Sequence, residues 1–155
     1  MRELKGGMMS KEYEVLDDRM YTETHEWVKK VGENKFQVGI TDYAQDNLKD
    51  IYAVELPKIG ENVEQFRAWG QIESEKGASE LLSPISGKVV AVNEDGLGDV
   101  FDTGETAKTN IYGGDLFNIN KKPYEAWLIE VETNDEDQLK NLVNPEDYKT
   151  KITIG

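Results

Sequence analysis

Gln71-Ile72-Glu73-Ser74-Glu75-Lys76-Gly77-Ala78-Ser79, followed closely by Ser83-Pro84-Ile85-Ser86-Gly87-Lys88-Val89-Val90, decides how the rest of this chain is read. Two short extended segments flank one lysine, and the small residues Gly77 and Ala78 come directly after it. The pattern predicts a β-hairpin with Lys76 at its tip, held out from the body and reachable by another protein. Glu73, Glu75 and Glu80 lie close by in sequence, a polar setting unlike the dry pocket that a Schiff-base lysine needs. A lysine that is modified and then used as an arm fits better here than a catalytic one. The competing reading is an ordinary solvated surface lysine.

Working outward, two turns with related chemistry stand on either side of Lys76. Leu56-Pro57-Lys58-Ile59-Gly60-Glu61-Asn62-Val63 and Leu82-Ser83-Pro84-Ile85-Ser86-Gly87-Lys88-Val89 each set a proline three residues before a glycine. Proline pre-sets φ for a turn and glycine is expected to take the positive φ. The arrangement suggests a quasi-repeated, flattened β-barrel whose halves meet at the hairpin. Glu26 to Val31 and Lys35 to Ile40 read as strands joined by Gly32-Glu33-Asn34, and Ile51 to Leu56 and Ala126 to Val131 as further strands. Thr41 is a candidate N-cap for a helix ending near Lys49, with Tyr43, Ala44, Leu48 and Ile51 as its buried stripe. At the C-terminus, Asn134 is a candidate cap for a segment carrying Leu139, Leu142 and Val143, and Asn144-Pro145 starts another helix. Residues 1–20 read as a charged N-terminal extension and 21–155 as one domain. Within it, residues 94–122 are glycine-dotted and expected to be a long, largely irregular loop. The fold class is mainly β, with peripheral helices that include the C-terminal ones.

Composition removes several alternatives. Against 31 acidic residues stand 18 basic ones, a formal charge of −13 that repels phosphate backbones and argues against nucleic acid as a partner. With no cysteine there is no disulfide, thiol catalysis or cysteine-ligated zinc, and the single His25 cannot complete a metal site. His25 reads more readily as a packed or surface residue than as a ligand, and Trp27, Trp69 and Trp127 as core or interface aromatics. Asp95, Asp99 and Asp102 miss the calcium-loop spacing, and residues 104–109 lack the Gly-Lys of a phosphate loop. No nucleophile and base converge, so no catalytic residue is assigned and an enzyme is not expected. No apolar run is long enough for a membrane span, the opening residues lack a signal-peptide core, and a cytoplasmic location is expected. Met8 and Met9 are alternative start residues.

Several blocks in fixed order carry a specific resemblance. Tyr21-Thr22-Glu23-Thr24-His25-Glu26-Trp27-Val28, Val38-Gly39-Ile40-Thr41-Asp42-Tyr43-Ala44-Gln45 and Asp50-Ile51 resemble the H proteins of the glycine cleavage system. So do Val54-Glu55-Leu56-Pro57, Glu73-Ser74-Glu75-Lys76 and Ser83-Pro84-Ile85-Ser86-Gly87. The likeness runs from about Tyr21 to Asn93 and resumes at Pro123-Tyr124. General lipoyl domains share the hairpin and the Gly87 turn but lack the first two blocks.

The resemblance implies a lipoyl-domain-like barrel-sandwich hybrid with lipoate attached at Lys76 as N6-lipoyl-lysine. It implies a swinging arm that takes an aminomethyl group from glycine decarboxylase (P protein). The arm would deliver it to the aminomethyltransferase (T protein) and be reoxidised by dihydrolipoamide dehydrogenase (L protein). A lipoate ligase or a lipoyl/octanoyl transferase would attach the cofactor, with Glu73 and Gly87 matching the positions used in lipoylation recognition. Thr24, Glu26 and Glu80 match the cleft where the loaded arm rests. A monomer is expected of such a carrier. The alternative is an H-like lipoyl carrier for sulfur oxidation or lipoate relay. The chain departs from the family at Gly77, where alanine is usual, at Glu75, where a small apolar residue is usual, and in the longer segment between Asn93 and Pro123.

Overall fold

The computed structural model describes residues 4–5, 8–9, 12–97, 99–101, 108–112 and 114–154. The strands are β1 (Leu4–Lys5), β2 (Met8–Met9), β3 (Met20–Tyr21), β4 (Glu26–Gly32), β5 (Lys35–Ile40), β6 (Ile51–Pro57) and β7 (Asn62–Val63). They continue with β8 (Ala68–Ser74), β9 (Gly77–Leu82), β10 (Gly87–Val92), β11 (Asp99–Phe101), β12 (Lys108–Tyr112) and β13 (Ile129–Glu132). The helices are α1 (Asp42–Leu48), α2 (Glu94–Leu97), α3 (Phe117–Lys121) and α4 (Pro145–Ile154), with 3-10 turns at Gly114–Leu116 and Glu136–Asn141.

The chain is mainly β with helices at its periphery, as expected. The β1–β2 pair stands apart from two larger sheets, one of order β3-β4-β5-β13-β10-β7 and one of order β11-β12-β6-β8-β9. Among the described residues these are two separate antiparallel sheets sharing one core, not a closed barrel. Alternation along the strands builds that core. Phe36, Val38 and Ile40 point inward from β5, Val54 and Leu56 from β6, Ile72 from β8, and Ile129 and Val131 from β13.

A second, aromatic cluster sits at one end. Tyr21 and Tyr148 stack with ring centroids 4.5 Å apart, joining β3 to α4. Trp27 donates its indole N–H to the Pro123 carbonyl at 3.1 Å. The Arg19 guanidinium lies 4.5 Å from the Trp27 ring centroid and 5.2 Å from that of Tyr124. The described residues before β3 dock here too: Tyr13 donates to Asp46 of α1 at 2.8 Å, and Tyr21 donates to the Leu16 carbonyl at 2.7 Å.

Three expectations need correction. Gly60 takes φ +99° as foreseen, but Gly87 does not adopt a positive φ. Glycine is needed at 87 because a Cβ there would lie 2.3 Å from the Glu132 carbonyl oxygen, in the strand paired with it. The described residues of 94–122 are mainly in short strands and helices. β12 pairs with β6 from Lys108↔Pro57 to Tyr112↔Ala53, and Leu97, Ile111, Leu116 and Ile119 are core residues. Their pairing partner is distant in sequence, so no local window reveals the strand. The segment after Asn134 forms the 3-10 turn with Asp135 at its N-cap position and no side-chain cap, whereas Asn144 does cap α4 by accepting from Asp147 N–H at 2.9 Å.

Gly39 faces Trp27 across the β4–β5 pair, and a Cβ on it would meet the indole Cζ2 at 2.5 Å. Gly39→Ala is expected to cost about 1–3 kcal/mol through overpacking in a site with no room to relax. Urea unfolding followed by tryptophan fluorescence would measure it; stability equal to the parent would refute the packing account.

Candidate functional site

The β8–β9 hairpin is as tight as its sequence implies. Ser74 pairs with Gly77, leaving Glu75 and Lys76 as the turn. Neither turn residue has a positive φ, and Gly77 supplies it at +99°. The Ser74 hydroxyl is central to the turn, accepting from Lys76 N–H at 3.2 Å and donating to the Gly77 carbonyl at 3.3 Å. Glu75 N–H donates to the Asp50 carbonyl at 3.1 Å, which ties the tip to the start of β6. Ser74 is buried while Glu73, Glu75, Lys76, Gly77 and Ala78 are exposed, so a fixed backbone presents a solvent-facing lysine. Nothing lies within 4 Å of where a Cβ on Gly77 would stand, so the space over the tip is open.

Beside β9 runs a groove of about 290 Å³, lined on one side by Ile72, Ser79, Glu80 and Leu81 and on the other by Thr24, His25, Glu26, Ile40 and α1. At its base is Glu26, 2% exposed. Its Oε1 accepts from the hydroxyls of Thr22 and Thr24, each at 2.5 Å, and its Oε2 accepts from Leu82 N–H at 3.1 Å. The carboxylate thus ties β4 in one sheet to the end of β9 in the other. Burial raises the Glu26 pKa above its ordinary value, and the hydrogen bonds from Thr22, Thr24 and Leu82 work against that rise.

His25 borders the same groove with φ +73°. Its ring lies 4.5 Å from that of Tyr43, and Nδ1 is 2.9 Å from the Tyr148 hydroxyl. Burial lowers its pKa, helped by the nearby Lys151 ammonium. The ring is packed between Tyr43 and Tyr148 and half-buried. Among the described residues no group of three or more His, Asp or Glu side chains could hold a metal.

Thr24 and Glu26 therefore share one groove with Glu80, which is distant in sequence, and Glu73 shares the hairpin with Lys76. Gly87 stands apart, in the other sheet. Sequence reasoning missed the apolar wall. Tyr43, Ala44 and Leu48 were expected as a buried stripe, yet no α1 residue is fully buried, and these three line the groove together with Asn47. They also pack against the core clusters, and helical spacing alone does not distinguish full burial from a stripe shared between core and groove. Ile51 belongs to β6 instead.

The raised Glu26 pKa carries a sign. The folded chain holds this proton more tightly than the unfolded chain, so the contribution to stability is complete below the ordinary value of 4.5 and is lost as pH rises through the folded-state value. Urea unfolding across that window should therefore show the parent gaining stability relative to Glu26→Gln as pH falls. Parallel stability profiles would mean that the carboxyl is not perturbed.

A sequence model of the family described as "Glycine cleavage H-protein" matches residues 19–154. The chain is 42% identical over 136 residues to the glycine cleavage system H protein of Oceanobacillus iheyensis, covering 87% of this chain and 94% of that protein. It is 38% identical over 132 residues to the one from Pseudoalteromonas translucida, covering 85% and 91%. The crystal structure of a glycine cleavage system H protein from Mycobacterium marinum superposes with a TM-score of 0.70 at 29% identity, covering 89% of this chain and 98% of that one. Hairpin, groove and strand order thus meet in a chain that belongs to the glycine cleavage H-protein family.

Proposed function

We propose that this chain is the lipoyl carrier of the glycine cleavage system, with lipoate in amide linkage to Lys76 and the groove beside β9 receiving the loaded arm. The observation that carries the reading is an exposed lysine on a hydrogen-bonded tip, next to a groove with apolar walls and a buried carboxylate at its base. The residues present suit such a group. From Lys76 to Ser79 and Glu80 is roughly 10–13 Å at ~3.3 Å per strand residue. A lysine side chain lengthened by an octanoyl-length arm covers that span. Lipoate would supply the dithiolane chemistry that takes up the aminomethyl group at glycine decarboxylase, yields it at the aminomethyltransferase and is reset by dihydrolipoamide dehydrogenase.

The chain's own residues present, seat and shield the arm, and in this reading it is a carrier without a catalytic site. Ser74 and the Asp50 carbonyl hold the tip for a lipoate ligase or a lipoyl/octanoyl transferase. Exposed Glu73 offers that enzyme a charge to read, and Gly87 contributes through the close strand approach it permits. In the groove, Glu80 is the exposed carboxylate suited to an ammonium group, with Thr24 on the opposite wall. Glu26, its oxygens already hydrogen-bonded, adds negative potential from beneath. Residues 21–155 form the carrier domain in this reading and 94–122 an elaboration of it. β11 lies at the far edge of the five-stranded sheet from β9, an arrangement that favours a free hairpin for partners.

Incubation with lipoate, ATP and a lipoate ligase, followed by intact mass and peptide mapping, tests the assignment. A lipoyl-sized increment confined to Lys76 and absent from Lys76→Arg is expected. A folded protein left unmodified beside a modified control acceptor would remove its main support. Ser74→Ala is expected to slow modification and to cost about 0.5–1.5 kcal/mol of stability, since both tip hydrogen bonds of the serine disappear. Lipoylation at the parental rate would show that turn rigidity is not read by the ligase.

A further inference from the structure

The aromatic cluster reaches the groove through one chain of hydrogen bonds. Thr41 Oγ1 accepts from Ala44 N–H at 3.2 Å as the cap of α1, lies 2.7 Å from the Tyr148 hydroxyl, and that hydroxyl lies 2.9 Å from His25 Nδ1. Only one direction satisfies every buried group. Thr41 is fully buried, and its hydroxyl proton finds an acceptor only at Tyr148. The Tyr148 proton then goes to His25 Nδ1, and the imidazole carries its hydrogen on Nε2. Reversing the chain would leave the Thr41 hydroxyl proton without an acceptor, at about 1–3 kcal/mol. Nε2 has no hydrogen-bond partner among the described residues and is not among their buried unpartnered polar atoms, while the ring borders the groove. With Nδ1 occupied by Tyr148, Nε2–H is the ring's free donor, on a residue that lines the same groove as Glu26 and Glu80.

We propose that His25, oriented by Tyr148, is a positioning residue that donates its Nε2–H to the sulfur of the arm left free when the other sulfur carries the aminomethyl group. The inference rests on the arm-in-groove reading above. The carboxylates suit the ammonium end of the cargo but repel a thiolate, and a nearby donor that is itself uncharged offsets that repulsion. The charged and titratable groups around the ring are Tyr43 of α1, Tyr148 and Lys151 of α4, Glu26 on the adjoining strand and Glu80 across the groove. Tyr148 lies in the last helix, so this relay also gives α4 a part in the arm's chemistry.

The chain has no cysteine, so the arm carries the only thiol in the loaded protein and alkylation reports on it alone. The experiment uses full-length protein lipoylated at Lys76 and charged with the aminomethyl group by glycine decarboxylase. The pH profile of iodoacetamide alkylation is then recorded for the parent, Tyr148→Phe and His25→Asn, whose asparagine tolerates the positive φ. Nitrogen-15 spectra of the single histidine give the tautomer independently. The expected result is an Nε2–H tautomer in the parent that becomes mixed in Tyr148→Phe. Alkylation in both variants should move to higher pH, by about one pH unit for His25→Asn, a roughly tenfold slower reaction below the midpoint. A parent profile distinct from free dihydrolipoamide but unchanged in both variants would overturn the histidine's role and leave the groove reading intact. A parent profile equal to free dihydrolipoamide would overturn both. An Nδ1–H tautomer in the parent would overturn the relay by itself.

Discussion

The buried Glu26 carboxylate is the interaction on which the rest of the site depends. It accepts from two hydroxyls on its own side, Thr22 and Thr24, and from the Leu82 amide on the other sheet. A carboxylate taken out of water is expensive unless its lone pairs are met, and here three donors meet them. The arrangement fixes the end of β9 against the start of β4, and with it the direction in which the hairpin projects. The groove exists because these two strands are joined at their ends yet separated along β9.

Two kinds of packing hold the parts around that joint. The main core is aliphatic and joins the two large sheets, with Phe36, Leu56, Ile72 and Val131 among its members. The second cluster is aromatic and polar at its edges, and it gathers α4, the segment before β3 and Tyr124 around Trp27. Gly39 makes room for the indole, and Arg19 covers the ring on one side, with a further bond to the Tyr124 carbonyl at 3.0 Å. α4 is thereby tied to the groove wall, since Tyr148 reaches both His25 and the α1 cap.

The hairpin was legible because every feature it needs is local. Small residues after the lysine and the extended segments on either side of it all fall within one short window, whereas the Ser74 hydroxyl's part in the turn came only from the structure. The Glu26–Val31 and Lys35–Ile40 strands were legible for the same reason, as was the Asn144 cap. Gly87 shows the limit. A glycine after a proline turn suggests a positive φ, and the actual cause is a carbonyl oxygen on a strand distant in sequence. β12 was missed because its ladder partner is β6, and the α1 stripe, though it packs against the cores, is only partly buried because it also borders the groove.

By itself, the sequence determined the exposed Lys76 turn, the mainly β class, the absence of cysteine and the ordered blocks that mark the family. Local propensity, alternation and composition act over a few residues and need no partner. Tertiary structure alone decided that Thr24 and Glu26 share one groove with Glu80, that the Glu26 carboxylate accepts from Leu82 on the other sheet, and that Tyr148 meets His25. Those outcomes depend on which distant strand or helix arrives at a given face, and that is set by the packing of the whole core.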